Sequence, residues 1–308
     1  MRNTFANEIT ELAKIRKDIV LLSGDIGNRM FDEFKCVAPS RFINCGIAEA
    51  NMMSLASGLA LTGLRPVIYT ITPFTTARCF EQIKIGAAYH NANIIIVGTG
   101  SGLSYAELGP THHSLEDIGI LSTLPGLRIL APCDSIELSS QLRESLDLRG
   151  PTYIRIGKKG EPNLTRNMVN LTIGKANILR EGCDFLILGI GPILKEAIDA
   201  ANEIERSHNK TTCIVSFGSV KPLDEEFLLE LINKKFKFWF TLEEHGYEGG
   251  FGSKIGSWIL KNNFQDKLKL VNICSPDKFI HHLGNQSYVR KNLDLDCEGI
   301  LRKLLRYV

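Results

Sequence analysis

The sequence predicts an α/β protein in which a larger parallel-sheet domain is followed by a smaller α/β domain. Two observations lead to this prediction. Short apolar runs alternate with amphipathic stretches of helical periodicity along most of the 308 residues, which is typical of a parallel sheet flanked by helices. The alternation lapses once, near the middle of the chain, and then restarts. Two domains of roughly 150 residues each are usual for a chain of this length.

The first domain is predicted from buried strands and the helices between them. Each strand is a short apolar run without polar alternation, as expected where helices cover both faces of a sheet. Helices are predicted where apolar residues recur at helical spacing. The predicted strands are 18–23, 66–71, 93–98, 127–131 and 152–156, and the predicted helices are 48–61, 74–90 and 134–148.

A linker is predicted at residues 158–171, where Gly, Pro, Asn, Thr and basic residues follow one another without a period. We therefore place the two domains at residues 1–165 and 172–308. The alternation of strands and helices then resumes, which predicts a second α/β unit. Its predicted strands are 184–189, 211–216 and 236–242, and its predicted helices are 192–207, 224–233 and 250–260.

Composition excludes several classes of function. The 36 Lys and Arg residues nearly balance the 34 Asp and Glu residues, so no global field favours nucleic acid or an acidic membrane. No apolar run approaches the ~20 residues of a membrane span, and the N-terminus lacks the apolar stretch of a signal peptide. The eight cysteines are scattered without a C-x-x-C pair. We therefore expect reduced thiols and a cytoplasmic protein.

Glycine-rich turns follow several of the predicted strands. In open parallel sheets, ligands bind outside the carboxyl ends of the strands, so chemistry is expected at these turns. None of the turns contains a G-x-G-x-x-G sequence, which disfavours a dinucleotide site. The glycines are better explained by the tight turns themselves.

Glu49 begins a predicted helix among small and apolar neighbours. It either favours the helix N-terminus electrostatically or shares a proton with a heterocyclic nitrogen of a ligand. Further along, Phe74 and Phe80 flank the basic residue Arg78. Phe80 is predicted to be core, whereas Phe74 follows a strand end and can offer its ring face to a heteroaromatic ligand.

Two adjacent histidines, His112 and His113, lie on a Gly-Pro turn that leads into a helix. Imidazoles are poor core material without partners, so one of them is predicted to be catalytic or to bind substrate. No third and fourth ligand lies at the usual spacing, which disfavours a metal site in this chain.

Several short motifs together resemble the transketolase family. They are Gly46-Ile47-Ala48-Glu49, Gly109-Pro110-Thr111-His112, Leu124-Pro125-Gly126, Pro132-Cys133-Asp134, Gly150-Pro151-Thr152, Glu243-Glu244-His245 and Gly249-Gly250-Phe251-Gly252. Their order and spacing extend over nearly the whole chain, which makes the resemblance more specific than any one motif. It implies a pyrimidine-binding domain of the thiamine-diphosphate enzyme type, followed by a transketolase C-terminal domain.

The resemblance implies a transferase that moves a two-carbon ketol unit from a ketose donor to an aldose acceptor with thiamine diphosphate. Glu49 matches the glutamate that hydrogen-bonds N1′ of the cofactor's aminopyrimidine. His112 matches the histidine that faces the donor and assists proton transfer. Phe74 matches the aromatic residue that packs on the aminopyrimidine, and Asp25 matches an acidic residue near the cofactor.

A further implication concerns a partner. Full-length family members carry a diphosphate-binding domain with a Gly-Asp-Gly sequence that helps to hold Mg²⁺, and no Gly-Asp-Gly occurs in this sequence. We therefore expect the diphosphate and Mg²⁺ to be held mainly by a separate N-terminal transketolase subunit, with two chains of each kind in a heterotetramer.

The substrate residues depart from the pattern of transketolases that act on phosphosugars. Leu108 stands where those enzymes have an aspartate, and Gly100-Ser101-Gly102 stands where they have a phosphate-binding histidine. Lys158 falls near the position of a phosphate-binding arginine, so it either binds a substrate anion or is a solvated linker charge. We expect an unusual sugar substrate.

Two alternatives remain open at this level. One is the β subunit of a 2-oxoacid dehydrogenase decarboxylase component, which has the same two domains. The other is a non-catalytic partner that keeps the domain pair only for assembly. The Thr111-His112-His113-Ser114 sequence favours the transketolase branch, and the presence of both Glu49 and His112 argues against a purely structural role.

Overall fold

A computed structural model describes residues 1–27, 29–158, 160–166, 168 and 171–307. The chain forms two mainly parallel β-sheets, each with helices on both faces. The predicted α/β fold class is therefore confirmed.

Within the described residues, the first sheet has seven strands in the order β10-β5-β6-β4-β3-β1-β2. All neighbours are parallel except β10, which pairs antiparallel with β5. The strands are β1 (Ile19–Ser23), β2 (Phe42–Asn44), β3 (Arg65–Ile71), β4 (Ile95–Thr99), β5 (Arg128–Leu130), β6 (Thr152–Ile156) and β10 (Ser219–Lys221). Since β10 comes from far beyond the predicted linker, sheet membership alone does not fix a domain boundary, and the boundaries at 165 and 172 stay predictions.

The second sheet has five strands in the described part of the chain, in the order β12-β11-β8-β9-β7. Its neighbours are parallel except β7, which pairs antiparallel with β9. The strands are β7 (Asn177–Arg180), β8 (Phe185–Gly189), β9 (Thr212–Ser216), β11 (Phe238–Gly246) and β12 (Lys269–Ser275). The edge strands β7 and β12 were not predicted. Most of their side chains are only half-buried, so their sequences lack the continuous apolar run of a buried strand.

The described helices include those predicted at 48–61, 134–148, 192–207, 224–233 and 250–260, together with others that were not predicted. They are α1 (Arg2–Ile15), α2 (Asp32–Val37), α3 (Glu49–Leu61), α4 (Thr72–Thr75), α5 (Phe80–Gln82), α6 (Asp117–Ser122), α7 (Ser135–Asp147), α8 (Leu194–His208), α9 (Glu225–Asn233), α10 (Phe251–Lys261), α11 (Gln286–Asn292) and α12 (Cys297–Leu305). Four of the described helices begin at a side-chain cap: Asp134 accepts hydrogen bonds from two amides of α7, and Asp224, Asn285 and Asp296 each accept one from α9, α11 and α12.

One predicted helix, 74–90, is wrong in form. The segment is broken into α4, a 3₁₀ turn at Ala77–Cys79, α5 and a π-helical stretch at Ile83–Tyr89. The break lies at Thr76, whose hydroxyl donates to the carbonyl of Thr72 at 2.7 Å. The same bond, from a hydroxyl to the carbonyl four residues earlier, occurs inside the unbroken helices α1 and α3, so it does not by itself explain the break. The interruption places Arg78 on a short turn rather than on a continuous helix face.

The predicted linker is tied to the first domain. Asp134, which is fully buried, accepts hydrogen bonds from the amides of Leu164 and Thr165, both at 2.6 Å, in addition to capping α7. One carboxylate therefore fastens the connecting segment to a helix of the first sheet. A cluster of buried apolar residues runs from β1, β3 and α3 into α9, α10 and β11, so the two sheets share a continuous core.

No helix among the described residues is both long enough and apolar enough to cross a bilayer.

Candidate active site

Three parallel strands of the first sheet deliver the candidate residues to one edge. Glu49 begins α3 shortly after β2, Phe74 lies in α4 directly after β3, and His112 lies in the loop after β4. The spatial order β4-β3-β1-β2 places these strands in one run of the sheet, all in the same direction. Their carboxyl ends therefore lie at the same edge, and the side chains that follow them converge.

Glu49 is the first residue of α3 and only 3% of its surface is exposed. The preceding turn contains Gly46 at φ +69°, a conformation that residues with a Cβ rarely adopt. The carboxylate accepts a hydrogen bond from Nη1 of Arg78 at 2.9 Å. A buried carboxylate requires a partner, and here a single half-exposed arginine provides it.

Phe74, Arg78 and His112 form a cluster against this carboxylate. The guanidinium carbon of Arg78 lies over the Phe74 ring, 4.2 Å from its centroid. The His112 ring meets Phe74 edge-on, with 5.2 Å between ring centroids. The structure thus brings together three of the predicted site residues and adds Arg78, to which the sequence assigns no role.

His112 is half-buried, and its Nδ1 atom lies 2.9 Å from the hydroxyl of Thr111. That hydroxyl is also 3.4 Å from the carbonyl of Leu108, to which it can donate. When the hydroxyl donates to Leu108, it accepts from Nδ1–H, which leaves Nε2 as the basic nitrogen. The loop therefore offers a histidine with one nitrogen engaged and the other available.

A buried ion pair anchors the end of the histidine loop. Asp117, the first residue of α6, accepts hydrogen bonds from Nε of Arg155 at 2.8 Å and from the hydroxyl of Tyr153 at 2.6 Å. Burial opposes ionisation of this carboxyl, but Arg155, His245 and the Tyr153 hydroxyl together outweigh burial and hold the pKa of Asp117 below its usual value. Arg155 also donates to the carbonyls of Ser114 and Glu244. The pair thus joins the histidine loop to β11 of the second sheet.

The second domain contributes the Glu243-Glu244-His245 sequence to this junction. Glu244 accepts from Nε of Arg290 on α11 at 2.5 Å and from the amide of Leu103 at 3.3 Å. His245 accepts from the amide of Gly119 at 3.3 Å. Glu244 and His245 lie between the domains, where their side chains fix the segments on either side of His112.

The carboxylate of Glu243 points the other way, into α10. It accepts hydrogen bonds from the amides of Phe251 and Gly252 at 2.6 and 2.7 Å, the first free amides of that helix. Burial raises the pKa of Glu243 above its usual value. Its contacts are to the scaffold, so we assign it no place in the candidate site.

His113 is buried beside His112 and lines a different space, a cavity of about 680 Å³ that Tyr247 and Phe279 also line. Burial lowers the pKa of His113, which favours the neutral ring. The geometry agrees with a supporting position in the loop.

Lys158 lies beside the cluster rather than within it. Its ammonium group contacts a carboxylate oxygen of Glu107 at 2.5 Å and lies 4.8 Å from the centroid of the Tyr105 ring. The Tyr105 ring is in turn 6.4 Å from that of His112. Gly100 is required here, because a Cβ at that position would lie 2.1 Å from Tyr105. Tyr105 thus fills space where a side chain at position 100 would stand.

Asp25 lies exposed at the carboxyl end of β1 with φ 57°. It accepts a hydrogen bond from the Asn44 amide at 2.9 Å, and Asn44 accepts one from the amide of Gly46 at 3.0 Å. Asp25 is therefore linked through Asn44 to the turn that precedes Glu49. Its described contacts do not reach Phe74 or His112.

Two contributors to the site were missed at the level of sequence. Arg78 and Tyr105 carry no motif, and the only signal was their position on the segments that follow β3 and β4. Among the residues that the structure describes, no group of three or more His, Cys, Asp and Glu side chains is arranged to hold a metal ion.

Family comparisons agree with this geometry. Residues 1–162 match the family "Transketolase, pyrimidine binding domain", and residues 174–300 match "Transketolase, C-terminal domain". The first match includes every candidate site residue. The family implies thiamine diphosphate as the cofactor.

Individual relatives match over nearly their full length. The chain is 32% identical to one of the subunits of apulose-4-phosphate transketolase from Phocaeicola vulgatus, covering 100% of this chain and 97% of that protein. It is 31% identical to a 6-deoxy-6-sulfo-D-fructose transketolase subunit of Clostridium sp., covering 98% and 92%. Both are transketolase subunits, which favours the transketolase prediction over the 2-oxoacid dehydrogenase alternative.

A solved structure is similar as well. The split-gene transketolase determined as an inactive β4 tetramer superimposes with a TM-score of 0.87 at 26% identity, covering 99% of this chain and 96% of that one. The chain therefore belongs to the transketolase family of transferases and corresponds over its length to one of the two kinds of chain in split transketolases.

Proposed function

We propose that this chain forms one half of an active site that transfers a two-carbon ketol unit from a ketose donor to an aldose acceptor. One observation carries the proposal. A buried carboxylate, an aromatic ring and a histidine meet at the carboxyl edge of the first sheet, in the contacts of Glu49, Phe74 and His112. Thiamine diphosphate, when bound, supplies the electron sink that breaking a carbon–carbon bond requires.

The residues present fit an aminopyrimidine. A planar group that donates hydrogen bonds already meets Glu49 and the Phe74 ring face, because the Arg78 guanidinium makes both contacts. An aminopyrimidine is also planar and polar at its edge, so the same carboxylate and ring face would hold it. Glu49 and Phe74 are therefore proposed as cofactor-binding residues, with Asp25 on the adjoining turn.

Glu49 is proposed to hold a proton for the cofactor. Its carboxylate is almost shielded from water, so a hydrogen bond that it accepts from a ring N–H would be strengthened by the low local dielectric. The helix start at Glu49 fixes the backbone, and burial fixes the side chain. The residue is thus positioned to share a proton with N1′ and to exclude solvent from that bond.

His112 is proposed to move protons at the substrate. With Nδ1 engaged by Thr111, Nε2 is the atom that remains to accept a proton from a substrate hydroxyl and to return it. The edge contact with Phe74 keeps the imidazole next to the place proposed for the cofactor. The anchored loop that follows limits movement of this ring.

We further propose that the diphosphate and Mg²⁺ are held mainly by a separate N-terminal subunit, in a heterotetramer located in the cytoplasm. The solved β4 tetramer of a split-gene transketolase is inactive, which supports a requirement for a second kind of chain. The described carboxylates of the site are engaged by Arg78 and Asn44, which is consistent with a metal site elsewhere.

The substrate is proposed to be a sugar with Lys158 near its anionic end. Two similar proteins are named for apulose 4-phosphate and for 6-deoxy-6-sulfo-D-fructose, both of which carry an anionic group. Lys158 contacts the Tyr105 ring, and the Tyr105 ring contacts that of His112. The lysine side chain is only partly exposed. A substrate anion would have to exchange with Glu107 for this lysine, since the two are paired.

Calorimetric titration of thiamine diphosphate with Mg²⁺ tests the proposal. The cofactor is titrated into this chain alone and into its co-expressed complex with the diphosphate-binding chain. Binding to the complex only is the expected result. Tight binding to the chain alone would contradict the split site, and a complex that assembles without binding cofactor would support the non-catalytic alternative.

A further inference from the structure

The Arg78 guanidinium occupies the place that the proposed function assigns to the aminopyrimidine. Its Nη1 atom donates to Oε1 of Glu49 at 2.9 Å, and its Cζ atom lies 4.2 Å from the centroid of the Phe74 ring. An aminopyrimidine held by the same carboxylate and the same ring face would need both contacts. Two planar groups cannot fill the same space, so one must leave before the other binds.

The Arg78 side chain is free to move away from the pocket, whereas the Glu49 side chain is held in it. The arginine side chain is 47% exposed, whereas that of Glu49 is 3% exposed. Arg78 lies on the 3₁₀ turn Ala77–Cys79, in the interrupted segment between α4 and α5. An ion pair and a ring contact of a half-exposed side chain are weak, because water competes for the guanidinium. The carboxylate stays on its helix when the arginine moves.

We propose that Arg78 is a reversible plug of the aminopyrimidine pocket. In the cofactor-free chain it pairs with Glu49 and covers Phe74, and it swings into solvent when the cofactor binds. This inference rests on the proposed function, because it concerns the pocket that Glu49 and Phe74 form. The plug has a physical reason: a buried carboxylate without a partner destabilises the fold, and Arg78 satisfies it until the cofactor does.

If Arg78 is a plug, its removal should change the affinity for the cofactor in a defined direction. When a binding-competent state is only partly populated, the measured affinity falls by that fraction. Removing Arg78 therefore tightens cofactor binding. An arginine that instead helped to hold the bound cofactor, or that oriented Glu49 towards it, would weaken binding when removed.

The experiment compares thiamine diphosphate binding, with Mg²⁺, to the assembled complex carrying wild-type, Arg78→Ala or Arg78→Lys chains, by calorimetry. Arg78→Ala is expected to bind about three- to tenfold more tightly. Arg78→Lys is expected to fall between, since an ammonium keeps a charge for Glu49 but has no plane to cover the ring. The control is Arg206→Ala, which breaks another arginine–glutamate pair, with Glu203 at 2.6 Å on α8, and should leave affinity unchanged.

Unchanged or weaker binding by Arg78→Ala, in a complex that still assembles, overturns the plug and leaves the proposed function intact. Absence of cofactor binding by the wild-type complex overturns the proposed function, and the plug with it. Should Arg78→Ala fail to assemble, Arg78→Lys decides by the same sign: tighter binding supports the plug, and unchanged or weaker binding refutes it.

Discussion

Two arginine–carboxylate pairs of the first domain have almost the same geometry and opposite surroundings. Arg78 contacts Glu49 at 2.9 Å, and Arg155 contacts Asp117 at 2.8 Å. Both carboxylates are buried, but the arginines differ: Arg78 is 47% exposed and Arg155 is 3% exposed. The Arg78–Glu49 pair at the sheet edge can thus be exchanged for a ligand, whereas the Arg155–Asp117 pair between the domains is permanent.

The difference lies in how many groups each arginine satisfies. Arg155 bonds to Asp117 and to two backbone carbonyls, so its donors are used inside the protein. Arg78 rests on a ring face and reaches into solvent. Burial makes an ion pair costly to break, whereas exposure makes it easy to exchange for a ligand. The permanent pair holds the loop in place, and the exchangeable pair marks where a ligand enters.

The largest expected effect belongs to the exchangeable pair and concerns activity. Glu49→Ala should lower ketol transfer by the assembled complex about a thousandfold or more, because the proton-sharing carboxylate is lost. Assembly should be unaffected, as judged by size-exclusion chromatography. Glu81→Ala, an exposed carboxylate on α5, is the control and should retain activity. Substantial turnover by Glu49→Ala would refute the catalytic role proposed for Glu49.

The permanent pair should show its effect in stability. Asp117→Asn leaves Arg155 charged and without its carboxylate in the interior, which should lower the free energy of unfolding by about 3–5 kcal/mol. Denaturant unfolding of the purified protein measures it. Adding Arg155→Met to Asp117→Asn should cost less than the sum of the two single changes. An equal loss of stability from Arg78→Ala would erase the distinction between the pairs.

The smallest expected effect concerns His113, which is buried and belongs to neither pair. Because burial lowers its pKa in the folded state, the unfolded chain binds a proton first as pH falls below about 6.5. The stability that depends on neutral His113 is therefore present above that pH and is lost below it. Wild type should lose more of its free energy of unfolding than His113→Gln between pH 7.5 and 5.5. Parallel pH profiles of unfolding for the two proteins would contradict this.

The candidate site residues were identified from short local motifs. Glu49, Phe74 and His112 were predicted from motifs that resemble the transketolase family, whereas the strand β2 that leads to Glu49 was not predicted. The structure shows that each of them follows a strand that ends at the same edge of the sheet. The strand at 152–156 was predicted with the ends that the structure has, because its apolar run is bounded by Pro and Gly. The helix predicted at 74–90 failed, since its periodicity does not reveal that the backbone leaves helical geometry at Thr76 and Cys79.

The sequence by itself determined the α/β class and most of its helices and central strands, because periodicity and turn chemistry act over a few neighbouring residues. The prediction of Glu49, Phe74 and His112 came from motifs that resemble a known family. Only the tertiary structure decided the partners: Arg155 for Asp117, 38 positions away, and Arg290 for Glu244, 46 positions away. It also decided that the Arg78 guanidinium lies over the Phe74 ring, although the side chain is half-exposed. Burial of a charge depends on every element packed around it, and these elements come from distant parts of the chain, so no local sequence pattern reveals it.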